Sequence, residues 1–354
     1  MNMMEERKKE HVDIVKGYNT KHSYNYWDDF MLVHNALPEI NMNEIDTRVK
    51  FLGKKLEMPF IIAGMTGGFK EAKKINEELA RIAERYGVGM GIGSQRAALE
   101  DKKYEETYAI IKKYRVPLKI ANVGAPQLLE WRDAIEKVEN AIDMISADAI
   151  AIHLNFLQEV IQPEGERIAK GCLKKIEEVA ESISKPVIVK ETGAGISYKV
   201  AEKLIDSGIA AIDVGGAGGT SFSAVEAYRA RKRNDKLQEE LGKIFWDWGI
   251  PTPYSILEIA ELCKDAGISI IATGGIRHGM DVAKAIALGA DAAGSASKML
   301  KNPMEQMELF HFLRVVESLR MLMISQPTRL PMMFGVMEHI SMLQMEMAAS
   351  FRMK

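Results

Sequence analysis

The sequence has little cysteine, little net charge and no long apolar run, and each of these excludes a class of protein. Its two cysteines, Cys172 and Cys263, lie in helix-like segments and lack the spacing of a metal site or a disulfide framework. No apolar run approaches the roughly 20 residues that cross a bilayer. Residues 5–10 are charged and lack the apolar core of a signal peptide. We therefore expect a cytoplasmic protein that does not enter the membrane.

The charge balance excludes general attraction to polyanions. The formal net charge of the 354 residues is −2, so the whole molecule has no field that draws nucleic acid or an anionic membrane. A basic cluster, RARKRNDK at 229–236, is interrupted by polar and acidic residues and is typical of a solvated helix face. Apolar residues make up 47% of the chain, which is enough to form either two average domains or one large barrel.

From Pro59 onward, short apolar runs alternate with segments of helical periodicity. The eight runs span 59–65, 88–94, 117–124, 147–155, 186–191, 209–216, 268–275 and 290–296. Continuous apolar runs of this length are typical of parallel strands that are buried on both faces. Eight successive strand–helix units close into a barrel, so the sequence predicts an α/β protein with the (β/α)8 TIM-barrel fold. A doubly wound open sheet is the alternative.

Three segments fall outside the regular repeat. Residues 1–58 are predicted to form an N-terminal arm and a hairpin around Gly53 that caps the N-terminal end of a barrel spanning 59–320. The connection after the sixth strand, 216–254, is unusually long and predicts an excursion above the barrel or a lid. The tail, 321–354, holds nine of the 22 methionines and is expected to pack on the barrel or on another subunit.

Polar or glycine-rich groups follow every predicted strand, where a barrel builds its active site. The most informative stretch is HLNFLQEVIQPEGER at 153–167. His153 and Asn155 leave the fourth strand on one face, and Gln158 and Glu159 follow directly. Imidazole, amide and carboxylate groups together predict a site for a polar ligand. A carboxylate with amides and no His/Cys cluster favours Mg²⁺ over zinc.

The last two strands end in GGIR and GSAS, which predict a phosphate site. Glycine lets backbone N–H groups approach an anion closely, and barrels often bind phosphate after strands seven and eight. Arg277 is the expected charged contact. Lys190 follows an apolar run, so its ammonium needs either an electron-rich ligand such as a reduced flavin or a barrel carboxylate. Arg7 and Lys8 taken alone indicate a mobile, solvated basic arm.

In this order, the motifs resemble type 2 isopentenyl-diphosphate isomerase, a flavin-dependent family. The resemblance covers roughly residues 7–320, and HLNFLQE with PEGER and GSQRAALE are its most specific parts. It implies a (β/α)8 barrel that binds reduced FMN and Mg²⁺, with NADPH serving as the reductant of the flavin. It also implies the interconversion of isopentenyl and dimethylallyl diphosphate in isoprenoid biosynthesis, with flavin N5 as acid and base. A homo-oligomer, either tetramer or octamer, is implied as well.

The resemblance also implies roles for individual residues. FMN would be held by Met65, Thr66, Gly67, Ser94, Asn122, Lys190, Thr220, Gly274, Gly275, Arg277, Ser295 and Ala296. The substrate would be surrounded by Arg7, Lys8, Ser94, Gln95, Arg96, His153, Asn155 and Gln158. Of these, His153, Asn155 and Gln158 would be the catalytic group, with Gln158 in an orienting role. Glu159 would hold Mg²⁺ against the diphosphate.

Three departures from the family pattern stand out. Gly215 occupies a position where the family usually has a serine that helps hold FMN. Phe222 replaces a tryptophan, which makes one wall of the pocket smaller. The tail beyond about Leu322 does not resemble the family's usual helical ending.

Rival interpretations use the same barrel. An FMN-dependent oxidoreductase of the α-hydroxy-acid oxidase type would need a histidine base over the flavin, for which His278 is the candidate. An enzyme like IMP dehydrogenase would need a nucleophilic cysteine in a barrel loop, and neither Cys172 nor Cys263 is suitably placed. A flavin-binding barrel without catalytic activity is the third alternative.

Overall fold

A computed structural model describes residues 3–162, 164–165, 168–311 and 323–325. The predicted Met-rich tail therefore lies outside the described residues, apart from a short strand, Met323–Ser325, which pairs antiparallel with Phe30–Leu32. Three residues of the PEGER motif, Pro163, Glu166 and Arg167, also lie outside them.

Eight parallel strands form a closed barrel, as predicted. They are β1 (Phe60–Ile62), β2 (Gly89–Gly91), β3 (Leu118–Gly124), β4 (Ala149–Leu154), β5 (Val187–Glu191), β6 (Ala211–Asp213), β7 (Ser269–Thr273) and β8 (Ala292–Ser295). Each strand pairs in parallel with the next along the chain, and β8 returns to β1. The alternative of an open sheet is therefore wrong, because a sheet with both edges paired has no open side.

Helices surround the barrel and extend above it. They are α1 (Met3–Gly17), α2 (Ala72–Tyr86), α3 (Arg96–Glu100), α4 (Glu106–Ala109), α5 (Ala125–Glu130), α6 (Ala134–Ile145), α7 (Phe156–Ile161), α8 (Cys172–Ser182), α9 (Tyr198–Leu204), α10 (Phe222–Lys232), α11 (Lys236–Ile244), α12 (Thr252–Ala266), α13 (Gly279–Ala287), α14 (Ser297–Lys301) and α15 (Pro303–His311). Helix α2 ends at Gly87, whose φ of 63° lies in the left-handed region that favours glycine at a helix end.

A two-stranded hairpin covers the N-terminal end of the barrel. Its strands, Val49–Phe51 and Lys54–Leu56, pair antiparallel around Leu52 and Gly53. Phe51 and Leu56 are 2% and 1% exposed. They belong to one apolar cluster with the lower barrel interior, which includes Ile61, Leu118, Ile188 and Ile271. The hairpin therefore closes one end of the barrel with packed side chains and leaves the other end for a ligand.

The opposite end is covered by the N-terminal helix and the excursion after β6. The predicted excursion is confirmed and contains the two helices α10 and α11. Helix α1 packs on α10 and on α14, and its Val12, Ile14 and Val15 join an apolar cluster with Val225 and Leu300. The expectation of a mobile basic arm is wrong for the described residues, because Arg7 and Lys8 lie on this packed helix. Among the described residues, no helix is long and apolar enough to cross a membrane.

The prediction of a solvated face at 229–236 is wrong for Arg229. This side chain is 1% exposed, although its neighbours Arg231 and Lys232 are exposed. Its guanidinium contacts the carboxylates of Glu10, Glu164 and Glu226 at 3.0, 2.5 and 2.6 Å. Buried charges are stable only when they are paired, and two of these partners lie far from Arg229 in the sequence.

Candidate functional site

A cavity of about 480 Å³ opens at the C-terminal ends of the barrel strands. This volume lies within the usual range for a site that binds a cofactor or a small molecule. Every residue predicted for the site except Gln95 lines it. The lining residues are Arg7 and Lys8 from α1, Met65, Thr66 and Gly67 after β1, Ser94 and Arg96 after β2, Asn122 on β3, His153, Asn155, Gln158 and Glu159 on and after β4, Lys190 on β5, Thr220 after β6, Gly274, Gly275 and Arg277 after β7, and Ser295 and Ala296 at the end of β8.

Gln95 is buried beside the cavity and does not face it. Its side chain is 0% exposed. Its amide N–H donates to the carbonyl of Ala141, and its Oε1 accepts from the backbone N–H of Asn122, at 2.8 and 2.9 Å. The predicted substrate contact of Gln95 therefore does not fit the structure. The residue instead fixes β3 to α6 at the point where Asn122 enters the cavity.

His153 is held as a neutral ring by its surroundings. Its Nδ1 lies 2.7 Å from Oδ1 of Asn122, whose Nδ2 donates to the carbonyl of Ile92. That orientation makes Asn122 Oδ1 the acceptor, so Nδ1 of His153 carries the proton and Nε2 is left as an acceptor. Burial, with repulsion from Lys190 and Lys8, lowers the pKa of His153 to about 3. The ring therefore stays uncharged at neutral pH.

Glu159 forms the acidic part of the cavity wall. The residue is 6% exposed, and its two carboxylate oxygens accept from Nδ2 of Asn155 and Nε2 of Gln162 at 2.7 and 2.6 Å. Oδ1 of Asn155 is buried without a hydrogen-bond partner among the described residues. Among all the residues that the structure describes, no three His, Cys, Asp or Glu side chains lie close enough together to hold a metal ion. One carboxylate with amide oxygens suits Mg²⁺, which takes its other ligands from phosphate and water.

Glycines form a narrow cradle between the loops that follow β6 and β7. A Cβ atom on Gly219 would lie 2.7 Å from the backbone N of Gly275, and one on Gly274 would overlap the carbonyl oxygen of Gly216. The cradle is fixed from outside, because Nδ2 of Asn25 and Nε1 of Trp27 donate to the carbonyls of Gly275 and Gly274 at 2.8 and 2.9 Å.

A buried hydroxyl of a residue that lines the cavity also supports a flavin there. The buried Thr66 Oγ1 has no hydrogen-bond partner among the described residues. In the glycine cradle the backbone borders the cavity with no side chain between them, and this arrangement admits a phosphate. The residues present therefore fit FMN.

Arg277 lines the cavity, but its guanidinium is already paired. Nε lies 2.8 Å from Asp281 and NH2 lies 2.6 Å from Asp28, and the hydrogen bond to Asp281 is the main cause that raises the pKa of Arg277. Its backbone N–H also donates to Asp281, at 2.9 Å. The predicted role as a direct phosphate contact would need Arg277 to leave the exposed Asp28. In the structure it orders the GGIR loop.

Lys190 lies next to two carboxyl groups in the barrel, the buried Asp213 and the partly buried Glu191. Asp213 is its register partner on β6, and burial raises the pKa of Asp213 although the charge of Lys190 opposes this. Burial raises the pKa of Glu191 to about 7, against the lowering effect of the backbone N–H groups of 192–194 and of Lys190. Among the described residues, no ion pair within 4.0 Å joins Lys190 to either carboxylate. Its Nζ donates to the backbone carbonyl of Glu191 at 2.9 Å, and the residue lines the cavity.

The backbone around residue 215 explains why a glycine stands where the resemblance predicts a serine. Gly215 has φ of 47°, and a Cβ atom there would overlap the carbonyl oxygen of Glu191. Oε2 of Glu191 accepts from the N–H groups of Thr192 and Gly193, both at 2.6 Å, and from that of Ala194. The tight loop that this carboxylate organises therefore leaves no room for a side chain at 215.

Sequence reasoning missed His11 and Glu226, which extend the site beneath Gln158. Oε1 of Glu226 accepts from Nε2 of His11 and from Nε2 of Gln158, at 2.8 and 3.1 Å. Burial alone would raise the pKa of Glu226, but His11 and Arg229 hold it at about 2. Phe222 lines the cavity with its ring at an edge to His11, 6.1 Å between centroids. Glu226 lies inside a helix with no polar motif around it, so no local signal identifies it.

The residues that rival interpretations require are not in the cavity. His278 and both cysteines are absent from its lining. Cys172 and Cys263 are buried, and burial raises the pKa of each thiol to about 11. A buried thiol with a raised pKa is a poor nucleophile. These positions disfavour a cysteine-dependent dehydrogenase and a hydroxy-acid oxidase that uses His278.

Comparison with known proteins gives consistent matches over most of the chain. A family model described as FMN-dependent dehydrogenase matches residues 13–109 and 130–302. A protein of Thermoplasma acidophilum named isopentenyl-diphosphate delta-isomerase is 49% identical over 303 residues, 85% of each chain. Proteins of the same name from Picrophilus torridus and Methanosarcina barkeri are 47% and 51% identical, over 85% and 76% of this chain and 85% and 72% of their own. The chain therefore belongs to the FMN-dependent dehydrogenase family, among its isopentenyl-diphosphate delta-isomerases.

Proposed function

We propose that this protein interconverts isopentenyl diphosphate and dimethylallyl diphosphate with bound FMN, as a step of isoprenoid biosynthesis. The observation that carries the proposal is the single cavity in which the residues of HLNFLQE, MTGG, GSQR, GGIR and the N-terminal helix meet. Relatives with 46–51% identity that bear the isomerase name support the same reaction. The reaction moves a double bond and a proton, with no net transfer of electrons.

The diphosphate is assigned to the basic side of the cavity. Arg7 and Lys8 from α1 and Arg96 from α3 bring three cations to one wall. We place Mg²⁺ at Glu159, where the carboxylate and Oδ1 of Asn155 would supply hard oxygen ligands and the diphosphate would complete the coordination. Ser94, whose carbonyl accepts from Nζ of Lys8, is assigned to the substrate and to FMN.

FMN is assigned to the glycine cradle and the strand ends next to it. Gly274, Gly275, Ser295 and Ala296 would surround its phosphate, with Thr220 from the opposing loop. Met65, Thr66, Gly67, Asn122 and Lys190 would surround its ring system. When it is bound and reduced, FMN supplies both a proton and electron density beside the alkene, and NADPH is the reductant that we assign to it.

The side chains around the alkene contribute orientation and a favourable field. An unactivated alkene is a weak base, and positive charge develops on it when it is protonated. A neutral His153 adds no repulsion to that charge, whereas an imidazolium would. Asn155 and Gln158 are assigned to orient the substrate, and Glu226 fixes Gln158 from below. Positioned proton transfer contributes about 10²–10⁴-fold, and exclusion of water from the covered cavity contributes further.

The broader assignments are carried over from the sequence, and the oligomer rests on the family resemblance alone. We assign the protein to the cytoplasm, with a small-molecule diphosphate as its substrate and no nucleic acid as partner. We also expect a homo-oligomer, a tetramer or an octamer. The N-terminal segment 1–58 is assigned to the domain of the barrel, and the Met-rich tail 321–354 either to the same domain or to a contact with another subunit.

The decisive experiment is an anaerobic assay. Purified protein is mixed with FMN, Mg²⁺, NADPH and isopentenyl diphosphate, and dimethylallyl diphosphate is measured. We expect product that depends on FMN and Mg²⁺, without stoichiometric consumption of NADPH. Net oxidation of a substrate would instead support a hydroxy-acid oxidoreductase, and bound FMN without product would indicate a flavin-binding barrel that is not catalytic.

A further inference from the structure

The connection between β2 and β3 carries a buried tyrosine that the function assigned above does not use. Tyr108 lies on α4 and is 0% exposed. Its ring is packed under the MTGG loop so closely that a Cβ atom on Gly67 would overlap it, and one on Gly68 would lie 3.0 Å from its hydroxyl. The neighbouring Thr107 accepts a hydrogen bond from the backbone N–H of Gly68 at 2.9 Å. Helix α4 therefore supports a loop that lines the cavity.

The hydroxyl of Tyr108 joins two other parts of the cavity wall. It donates to the carbonyl of Ser94 at 2.7 Å and accepts from Nζ of Lys8 at 2.7 Å. Nζ of Lys8 also donates to the carbonyl of Ser94, at 2.6 Å. Burial raises the pKa of Tyr108 well above its usual value, so the hydroxyl keeps its proton and its role as donor. An ammonium has three N–H groups, so one remains for a ligand in the cavity.

We propose that Tyr108 is a positioning residue, which holds Lys8 and Ser94 in the geometry that binds the diphosphate. This inference rests on the proposed function for the identity of the ligand, and it concerns the affinity for the diphosphate group alone. Lys8 is on a flexible four-carbon stem and has lost water on entering the site, so its direction depends on the groups that accept from it. Lys8 donates to the carbonyl of Ser94 and to the hydroxyl of Tyr108. Only the hydroxyl belongs to a side chain, so it can be removed by substitution without altering the backbone.

The test is Tyr108→Phe, which retains the ring beneath Gly67 and removes only the hydroxyl. The matched control is Tyr114→Phe, in the same connection between β2 and β3. The hydroxyl of Tyr114 donates to Glu77 at 3.1 Å, and the residue does not line the cavity. Because a hydrogen bond to a charged group is lost, we expect the KM for isopentenyl diphosphate to rise about tenfold in Tyr108→Phe, with kcat changed less than threefold and FMN affinity unchanged. Tyr114→Phe should match the parent protein.

A double-mutant cycle separates positioning of Lys8 from a general loss of stability. The cycle combines Tyr108→Phe with Lys8→Met and measures the binding of inorganic pyrophosphate with Mg²⁺ to the FMN-loaded protein by calorimetry. If Tyr108 acts through Lys8, its replacement should weaken binding about tenfold in the parent and less than twofold in the Lys8→Met background. Equal losses in both backgrounds, or no loss in the parent, would overturn the proposal. So would a parent protein that does not bind pyrophosphate.

The binding measurement needs no turnover, which keeps the two proposals distinguishable. If pyrophosphate binding depends on Tyr108 through Lys8 but no dimethylallyl diphosphate forms, the role of Tyr108 stands and the proposed reaction fails. If the reaction proceeds normally in Tyr108→Phe with an unchanged KM, the proposed reaction stands and the role of Tyr108 fails.

Discussion

Two basic side chains in the cavity have pKa values well below their ordinary ones. His153 stays neutral at every physiological pH, because its pKa is lowered to about 3. Burial, with repulsion from Arg7 and Arg96, lowers the pKa of Lys8 to about 7, so its ammonium is only partly populated in the absence of a ligand. The cavity without a ligand is therefore less positive than its residue types suggest. We expect Lys8 to become fully protonated when an anion binds.

We predict proton uptake at Lys8 when a diphosphate binds. The groups that act on the ammonium are Arg7, Arg96 and Glu100, together with the hydroxyl of Tyr108 and the neutral His153. A bound anion favours the charged form and raises the pKa of Lys8, so the complex binds more protons than the free protein. Affinity should therefore fall as pH rises from 7 to 9. Calorimetry in buffers of different ionisation enthalpy should show proton uptake at pH 8.

Lys8→Met is the control for this titration. It should bind pyrophosphate more weakly and with no uptake of protons in the same pH interval. Equal proton uptake in Lys8→Met and in the parent would assign the titration to another group, of which Glu191 is the first candidate because its pKa is about 7.

For Glu159→Gln we predict a higher requirement for Mg²⁺. The substitution keeps the size of the side chain and one of the two acceptor oxygens that face Asn155 and Gln162, but it removes the negative charge that attracts the cation. The concentration of Mg²⁺ that gives half-maximal activity should rise at least about tenfold, a loss of about 1.4 kcal/mol in binding. Glu178→Gln on the outer surface of α8 is the control. An unchanged Mg²⁺ titration would remove Glu159 as the ligand.

At the scale of elements, one buried cation joins three segments. Arg229 on α10 contacts Glu10 on α1, Glu164 after α7 and Glu226 one turn earlier. Glu226 in turn holds His11 and Gln158. The position of the N-terminal helix over the cavity is thus fixed by the same carboxylate that orients a side chain at the proposed reaction site.

Replacing Arg229 should weaken the packing of helix α1 over the cavity. Arg229→Met leaves buried carboxylates without their partner, and removing one member of a buried ion pair typically costs about 3–5 kcal/mol. We expect faster hydrogen exchange of the backbone amides of α1 and a lower midpoint of urea unfolding. Arg231→Met, on the exposed face of the same helix, is the control and should change neither measurement. Unchanged exchange of α1 in Arg229→Met would show that apolar packing alone holds the helix.

At the scale of the whole molecule, the two ends of the barrel have separate roles. The cavity occupies one end, and Phe51 and Leu56 of the hairpin close the other. In barrels of this type, residues at the closed end contribute to stability and those at the open end to chemistry.

We predict that Phe51→Ala destabilises the fold without altering the site. Removing a fully buried phenylalanine ring costs about 3–5 kcal/mol, through lost burial and the cavity left behind. The urea midpoint should fall, while the affinity of the folded protein for FMN stays the same. Phe51→Leu keeps most of the volume and should recover most of the stability. A parallel loss of FMN affinity in Phe51→Ala would mean that the two ends are coupled.

How much was predictable from the sequence depends on the range over which each interaction acts. The eight strands were predictable because each is a continuous apolar run, and the residues after them share one end of the barrel. Gln95 was misassigned, because the direction of a side chain in a strand–helix turn follows no simple period. The burial of Arg229 depends on Glu10, which is 219 positions away. No local pattern contains that pairing.

The contacts of α1 also set an order of events during synthesis. Residues 3–17 are synthesised well before the surface on which they pack, which is made of residues 222–232 and 297–301. The amphipathic helix therefore has no partner while most of the barrel strands are being made. Arg7 and Lys8 can take their places in the basic wall only after α10 and α14 have been synthesised, so the proposed diphosphate site is completed later than the loops that follow β1 and β2.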